Sequence, residues 1–289
     1  MTLRHRAEVL GVQALRAGAR LLPFRAVCAC GSALGWLFWR LDARHRRVAA
    51  ANVAAALPDR SPEEHARIVR GAFAHFGRLL FELLKFSTLS SEAMLRRVEF
   101  EGDAGVRSAF AEGHGVIFVT GHFGYWELQA LVHGLRLRPM AVMARALDNP
   151  GLHALLEQIR TRHGNTVIYR QGTVRRALRV LQEGGGIGVL IDQHIQSRDA
   201  ITVQFFGRPA ATTPLVAALA LRTGARIVPL FALPTGPGRY RMVYEPPVEL
   251  PPDGTPDPIQ VTTQRCTDVL ERYVRRNPEL WLWMHRRWR

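Results

Sequence analysis

From about residue 97 onward, short β-branched or apolar runs alternate with helical patterns. That alternation restricts the chain to an α/β fold with a largely parallel sheet. The runs fall at 116–120, 140–144, 166–169, 187–191, 203–206, 227–232 and 241–244. Helical patterns separate several of them, at 151–162, 174–183 and 214–223, and a closing helix over 261–275 follows the proline-rich loop 246–258. Residues 1–95 read instead as helices. Ser61-Pro62-Glu63-Glu64 starts the clearest one, with serine as N-cap, proline at the first helical position and carboxylates in the first turn. Gly71 and Gly77 are its expected weak points. The expected architecture is one α/β domain over 96–289 with a central, largely parallel or mixed sheet flanked by helices. A helical, membrane-associating arm over 1–95 precedes it.

The glycine run 184–188 lies before a strand, whereas a phosphate cradle follows a strand and opens a helix. A helix C-cap and tight turn accounts for it better. Residues 26–39 form an uncharged stretch between Arg25 and Arg40, too short for the roughly 20 residues of a membrane span. With Trp36 and Trp39 beside Arg40, it reads as an interfacial helix, with a core helix as the alternative.

Lys and Arg together outnumber Asp and Glu by 39 to 24, for a net charge of +15. Such a balance suits a polyanionic partner: nucleic acid, an anionic membrane surface, a phosphorylated lipid or an acidic carrier protein. No RNA- or DNA-binding fingerprint appears, so nucleic acid is not expected. Cys28, Cys30 and Cys266 form neither a disulfide framework nor a zinc-ligand spacing, so no metal is expected.

The run ending at Thr120 passes without a break into Gly121-His122-Phe123-Gly124-Tyr125-Trp126-Glu127. Ligands in α/β proteins bind beyond the carboxyl ends of strands, which is where this segment falls. Five residues apart on a helix, His122 and Glu127 would point about 140° away from each other. They meet if His122 sits in a glycine-built turn and Glu127 reaches back from the first turn of the next helix. Glu127 would then fix the imidazole tautomer and leave the other ring nitrogen as a base. The spacing also fits a buried histidine that merely pairs with a carboxylate. No Gly-x-Ser-x-Gly elbow and no His-Glu-x-x-His site accompany the pair, so the substrate itself is expected to supply the hydroxyl.

GHFGYWE resembles the H-x-x-x-x-D/E signature of glycerolipid acyltransferases, in the version of the late lipid A (lauroyl/myristoyl) acyltransferases. The resemblance extends through Arg145-Ala-Leu-Asp148-Asn149-Pro150, Arg162-x-Gly164-Asn165, Leu181-x-x-Gly184 and Leu190-Ile-Asp192-Gln193. Val203-Gln-Phe205-Phe206-Gly207-x-Pro209-Ala210 and the terminal Trp281-Leu-Trp283-Met-His285-Arg286-Arg287 follow in the same order. Each block is weak alone; their common order is specific. Ala144 stands where the family usually has an aromatic residue, and no aspartate follows Pro150 closely.

The resemblance implies transfer of a fatty acyl chain from an acyl carrier protein or coenzyme A thioester to a hydroxyl of a membrane glycolipid, with no cofactor and no covalent intermediate. It implies the cytoplasmic face of a bacterial inner membrane, with the protein peripheral or held by one N-terminal anchor. Lipid A precursor is the first acceptor; phosphoinositide mannosides, lysophospholipids and aminolipids are alternatives, and a thioesterase or a non-catalytic lipid-binding module remains open. By the same resemblance His122 and Glu127 are catalytic, and Arg145, Asp192, Arg162 and Asn149 bind substrate; Asp192, just past the run 187–191, would face the same rim in a parallel sheet and hydrogen-bond either the acceptor or the catalytic loop. Phe205, Phe206 and Trp126 shape the acyl pocket. Arg170, Arg175 and Arg176 are further candidates for phosphate or carrier contacts. The terminal WLWMHRRWR is expected at the membrane interface.

Overall fold

The capping box written at Ser61 forms: its hydroxyl accepts from the Glu64 amide while the Glu64 carboxylate accepts from the Ser61 amide. In the computed structural model, which describes residues 1–169 and 172–288, that cap opens α4 (Pro62–Phe86). Before it come α1 (Leu3–Leu21), α2 (Phe24–Leu41) and α3 (Ala43–Ala56), and after it the short α5 (Ser91–Leu95). Gly77 is a point of contact rather than of weakness, because α4 runs through it unbroken against α2. A Cβ on Gly77 would stand 2.2 Å from the Gly31 carbonyl oxygen, and one on Gly35 2.1 Å from that of Phe73. Among the described residues no helix is long and apolar enough to cross a membrane.

Among the described residues seven strands form the central sheet, in the order β1-β9-β8-β2-β5-β3-β4. The strands β2 (Val116–Thr120), β3 (Met140–Met143), β4 (Thr166–Ile168), β5 (Gly186–Leu190) and β8 (Arg226–Gly236) are mutually parallel. At one edge β9 (Arg239–Tyr244) turns back antiparallel to β8, and β1 (Val98–Glu101) pairs with it. A separate antiparallel hairpin joins β6 (Ile201–Phe205) to β7 (Arg208–Thr212). The crossovers are α6 (Asp103–Ala111), α7 (Trp126–Arg136), α8 (Pro150–Thr161), α9 (Thr173–Gln182) and α10 (Leu215–Thr223), closed by α11 (Pro258–Arg276). The sheet is mixed and largely parallel, as expected. The glycine run makes the expected tight turn, with Gly184 at φ +69° just after α9.

The strands β1 and β7 were not read from sequence. The first has only four residues, and the second carries Pro209, which fits only an edge position.

Alternate residues of β2 feed the two faces. Ile117 and Val119 pack with Ala49, Val53, Ile68 and Phe73, whereas Phe118 packs in the cluster of Phe24, Leu79 and Phe86. Residues 1–95 therefore share both cores with the sheet. Buried polar contacts join them further: Asn52 donates to the Trp283 and His285 carbonyls at 2.8 Å each, and the Tyr240 hydroxyl meets Glu82 at 2.5 Å.

Candidate active site

The strands β2 and β5 are neighbours in parallel register, with Thr120 opposite Leu190. Two residues past each strand end stand His122 and Asp192, so the register itself brings them face to face. Asp192 accepts from the His122 backbone N–H through Oδ2 at 2.6 Å, and its Oδ1 lies 2.8 Å from Nδ1 of the ring. The Trp281 indole N–H also donates to Oδ2, at 2.8 Å. Gly121 is required here because a Cβ would meet Asp192 Oδ2 at 2.8 Å.

The turn is pinned on both sides. Gly124 adopts φ +57°, its N–H donates to the Leu280 carbonyl, and the Tyr125 N–H donates to Ala232. Leu282 donates to the His122 carbonyl. From beneath, the buried His75 reaches the Gly124 carbonyl at 3.1 Å through Nε2. Burial, with the nearby Arg78 charge, drives the pKa of His75 down to about 3, so it is the neutral ring that donates.

Glu127 does not reach His122 as a hydrogen-bond acceptor, which corrects the expectation from spacing. It lies in the first turn of α7, which faces α8, and Arg160 grips its carboxylate at 2.9 and 2.5 Å. Their side chains are 15% and 17% exposed. The charge of Glu127 still acts on the ring. Burial opposes the imidazolium, but the charge and hydrogen bond of Asp192 and the charge of Glu127 outweigh it, and the His122 pKa rises. For Asp192, burial works against the anion. His122 and the Trp281 and backbone N–H donors prevail and hold the carboxyl below its usual value.

With Nδ1–H given to Asp192, Nε2 is the acceptor nitrogen, and the Gln193 amide nitrogen stands 3.4 Å from it. A histidine with one ring nitrogen open and a buried carboxylate behind it, at the carboxyl ends of a parallel sheet, can serve as a general base. Replacing Glu127 with glutamine would leave the Arg160 guanidinium enclosed without its counter-charge. A loss of about 3 kcal/mol is expected, to be read as a lower urea midpoint at unchanged m.

The other expected site residues divide. Trp126 lies against the His122 ring, 5.3 Å between centroids, and against Phe76 at 5.6 Å. Phe76 helps line a groove of about 280 Å³ between α2 and α4, with Leu34, Phe38, Phe73, Leu80 and Met284. Phe205 and Phe206 are buried instead in the core against Trp281, Trp283 and Trp288, not along this groove. Asn149 is the N-cap of α8; it accepts from Gly151 and Leu152 and donates to Glu8 and the His5 carbonyl, which leaves its amide engaged within the fold. Arg145 lies on the exposed loop after β3, paired with Asp148 at 3.4 Å. Arg162 ends α8 and donates to the Ser87 carbonyl at 2.8 Å, away from His122. Arg175 and Arg176 lie on α9, and Arg170 is outside the described residues.

The C-terminal segment is a core closure rather than a membrane segment. Trp281, Trp283 and Arg287 are fully buried; Arg287 donates to the Ala211 carbonyl and Thr212 hydroxyl. Reading missed Arg160, Trp281 and His75 as parts of the site. Arg160 was unremarkable inside an amphipathic helix, and tryptophans beside cations carry the same pattern in a core as at a bilayer.

Residues 2–289 match the family model described as bacterial lipid A biosynthesis acyltransferase. The lipid A biosynthesis lauroyltransferase of Escherichia coli (strain K12) is 27% identical over 271 residues, 93% of this chain and 87% of that protein. The lipid A biosynthesis myristoyltransferase of the same strain is 25% identical over 276 residues, covering 95% and 84%. A lipid A biosynthesis acyltransferase of Haemophilus influenzae is 24% identical over 264 residues, covering 91% and 81%. The chain is an acyltransferase and belongs to the bacterial lipid A biosynthesis acyltransferase family.

Proposed function

We propose that this enzyme moves a fatty acyl group from a thioester, on acyl carrier protein or coenzyme A, to a hydroxyl of a lipid A precursor. The observation that carries the reading is the 2.8 Å contact between His122 Nδ1 and the buried Asp192 carboxylate, which leaves Nε2 as the base. Nε2 takes the proton of the acceptor hydroxyl as its oxygen attacks the thioester carbonyl. The tetrahedral oxyanion collapses, the C–S bond breaks, and the departing thiolate takes the proton back from the imidazolium. No protein nucleophile takes part. Asp192 and the Glu127 charge stabilise the imidazolium formed on the way.

The groove that Phe76 and Met284 help to line is mostly apolar, and Phe76 connects it to Trp126 beside the base, which suits an acyl chain. Of its lining, Phe38 and Leu80 are 55% and 43% exposed, and Trp36, Leu37 and Leu41 extend the apolar surface of α2. Peripheral attachment by this face suits a lipid acceptor. Among the described residues Arg145 is held by an exposed ion pair worth at most about 1 kcal/mol, which lets it exchange Asp148 for a substrate phosphate.

The test is a lipid profile. A host lacking the gene is complemented with the wild-type chain or with His122→Ala, and its membrane lipids are compared by mass spectrometry. The account expects one glycolipid to lose a single acyl mass and only the wild type to restore it. Equal restoration by His122→Ala would remove the base from the mechanism, and loss on a phospholipid would move the acceptor.

A further inference from the structure

Three helices end near one cleft that His122 does not line: α1 at Leu21, α4 at Phe86 and α8 at Thr161. Between them lies a cleft of about 750 Å³ lined by Gln13, Arg16, Arg20, Thr88, Gln158 and Arg162, among others. Arg16 and Arg162 both donate to the Ser87 carbonyl, at 3.3 and 2.8 Å, and Arg16 also donates to the Ser87 hydroxyl at 2.9 Å. Two guanidinium groups thus share one oxygen. Lys85 stands behind them, its ammonium 2.7 Å from the Arg20 carbonyl.

Helix ends favour cations, but each contributes only about half a negative charge. Three of them supply roughly −1.5 against three arginines and a lysine. Among the described residues no carboxylate lines the cleft, and none pairs with Arg16, Arg20 or Arg162. The cleft therefore holds uncompensated positive charge on planar, fork-shaped donors, the geometry that binds phosphate.

The same helix supplies a second observation. Leu3, Leu10 and Leu21 of α1 are 84%, 66% and 85% exposed. Spacings of seven and eleven residues put them within about 20° of one another on the helix. Arg16 and Arg20 lie about a quarter-turn or more round, with Ala17 between. A leucine stripe flanked by arginines is the pattern of a helix lying in a membrane interface, where lipid phosphates sit just outside the apolar boundary.

We propose that Arg16, Arg20 and Arg162 form a binding site for the phosphate group of a membrane lipid, separate from the catalytic base and independent of which lipid accepts the acyl chain. The site holds the protein on the bilayer while the leucine face of α1 enters it.

The test uses the full chain and vesicles of equal parts phosphatidylcholine and phosphatidylglycerol. Arg16→Gln/Arg162→Gln is expected to weaken binding about 25-fold, taking about fivefold for each cation near an anionic surface. Arg67→Gln/Arg70→Gln, which removes equal charge from the exposed side of α4, should stay within about twofold. Arg20→Glu serves as the second variant, because among the described residues its side chain makes no hydrogen bond or ion pair, and should weaken binding at least as much per residue. Unchanged binding by the cleft variants, or equal losses in both doubles, would overturn the site. A melting shift caused by inorganic phosphate and lost in Arg16→Gln/Arg162→Gln, with vesicle binding intact, would assign the cleft to a soluble phosphate and overturn the lipid assignment.

Discussion

Replacing His122 by alanine is expected to slow acyl transfer about 10²–10⁴-fold, the range for losing a positioned general base. The fold should survive. His122 lies in a turn held through its backbone, and Asp192 keeps the Trp281 indole and the His122 amide as donors after the ring is gone. The measurement is kcat with saturating thioester, beside a thermal melt showing that the variant is folded. The wild type adds a pH signature. Only the neutral ring accepts a proton, and its pKa lies above the ordinary value of about 6.5. Activity should therefore rise with pH through a midpoint on the alkaline side of that value.

Asp192→Asn is expected to cost as much, on the order of 10⁴-fold as in a catalytic triad deprived of its carboxylate. The reason is specific to this site. Both fixed donors, the Trp281 indole and the His122 backbone N–H, meet the same oxygen, Oδ2, whereas Nδ1 meets Oδ1. An asparagine would satisfy the two donors by placing its carbonyl oxygen at the Oδ2 position. Its NH₂ would then point at Nδ1 and donate to it. That reverses the tautomer, puts the ring proton on Nε2 and leaves no base. The acidic limb of any residual activity should move down, because burial then acts on the ring with less opposing charge.

Much of this was readable from residue order. The α/β class followed from the alternation of runs, and the place of His122 followed from the strand that ends at Thr120. Asp192 could be placed on the same rim, within reach of the acceptor or the catalytic loop, but its pairing with the ring did not follow, because contact between His122 and Asp192 depends on the order of strands in the sheet. The chain passes from β2 to β3 and returns to insert β5 between them, and only that order lays residue 192 beside residue 122. Spacing along the chain favoured Glu127, which is close in sequence but carried toward Arg160 by the direction of α7. The tryptophans of the C-terminus were misleading for a similar reason. Their burial depends on the β6–β7 hairpin and the β2–α7 turn, both distant in sequence. The groove between α2 and α4 involves Gly35 and Gly77, whose close approach no local pattern announces.

The central claim is that His122 and Asp192 act as one unit, and a double-mutant cycle on purified protein tests it most directly. The rate of acyl transfer from a thioester to a lipid A precursor is measured for wild type, His122→Ala, Asp192→Asn and the double variant. Residues that work as a unit are strongly non-additive. The double variant is expected to be about as slow as His122→Ala alone. Near-normal transfer by Asp192→Asn, or losses that multiply in the double variant, would contradict it.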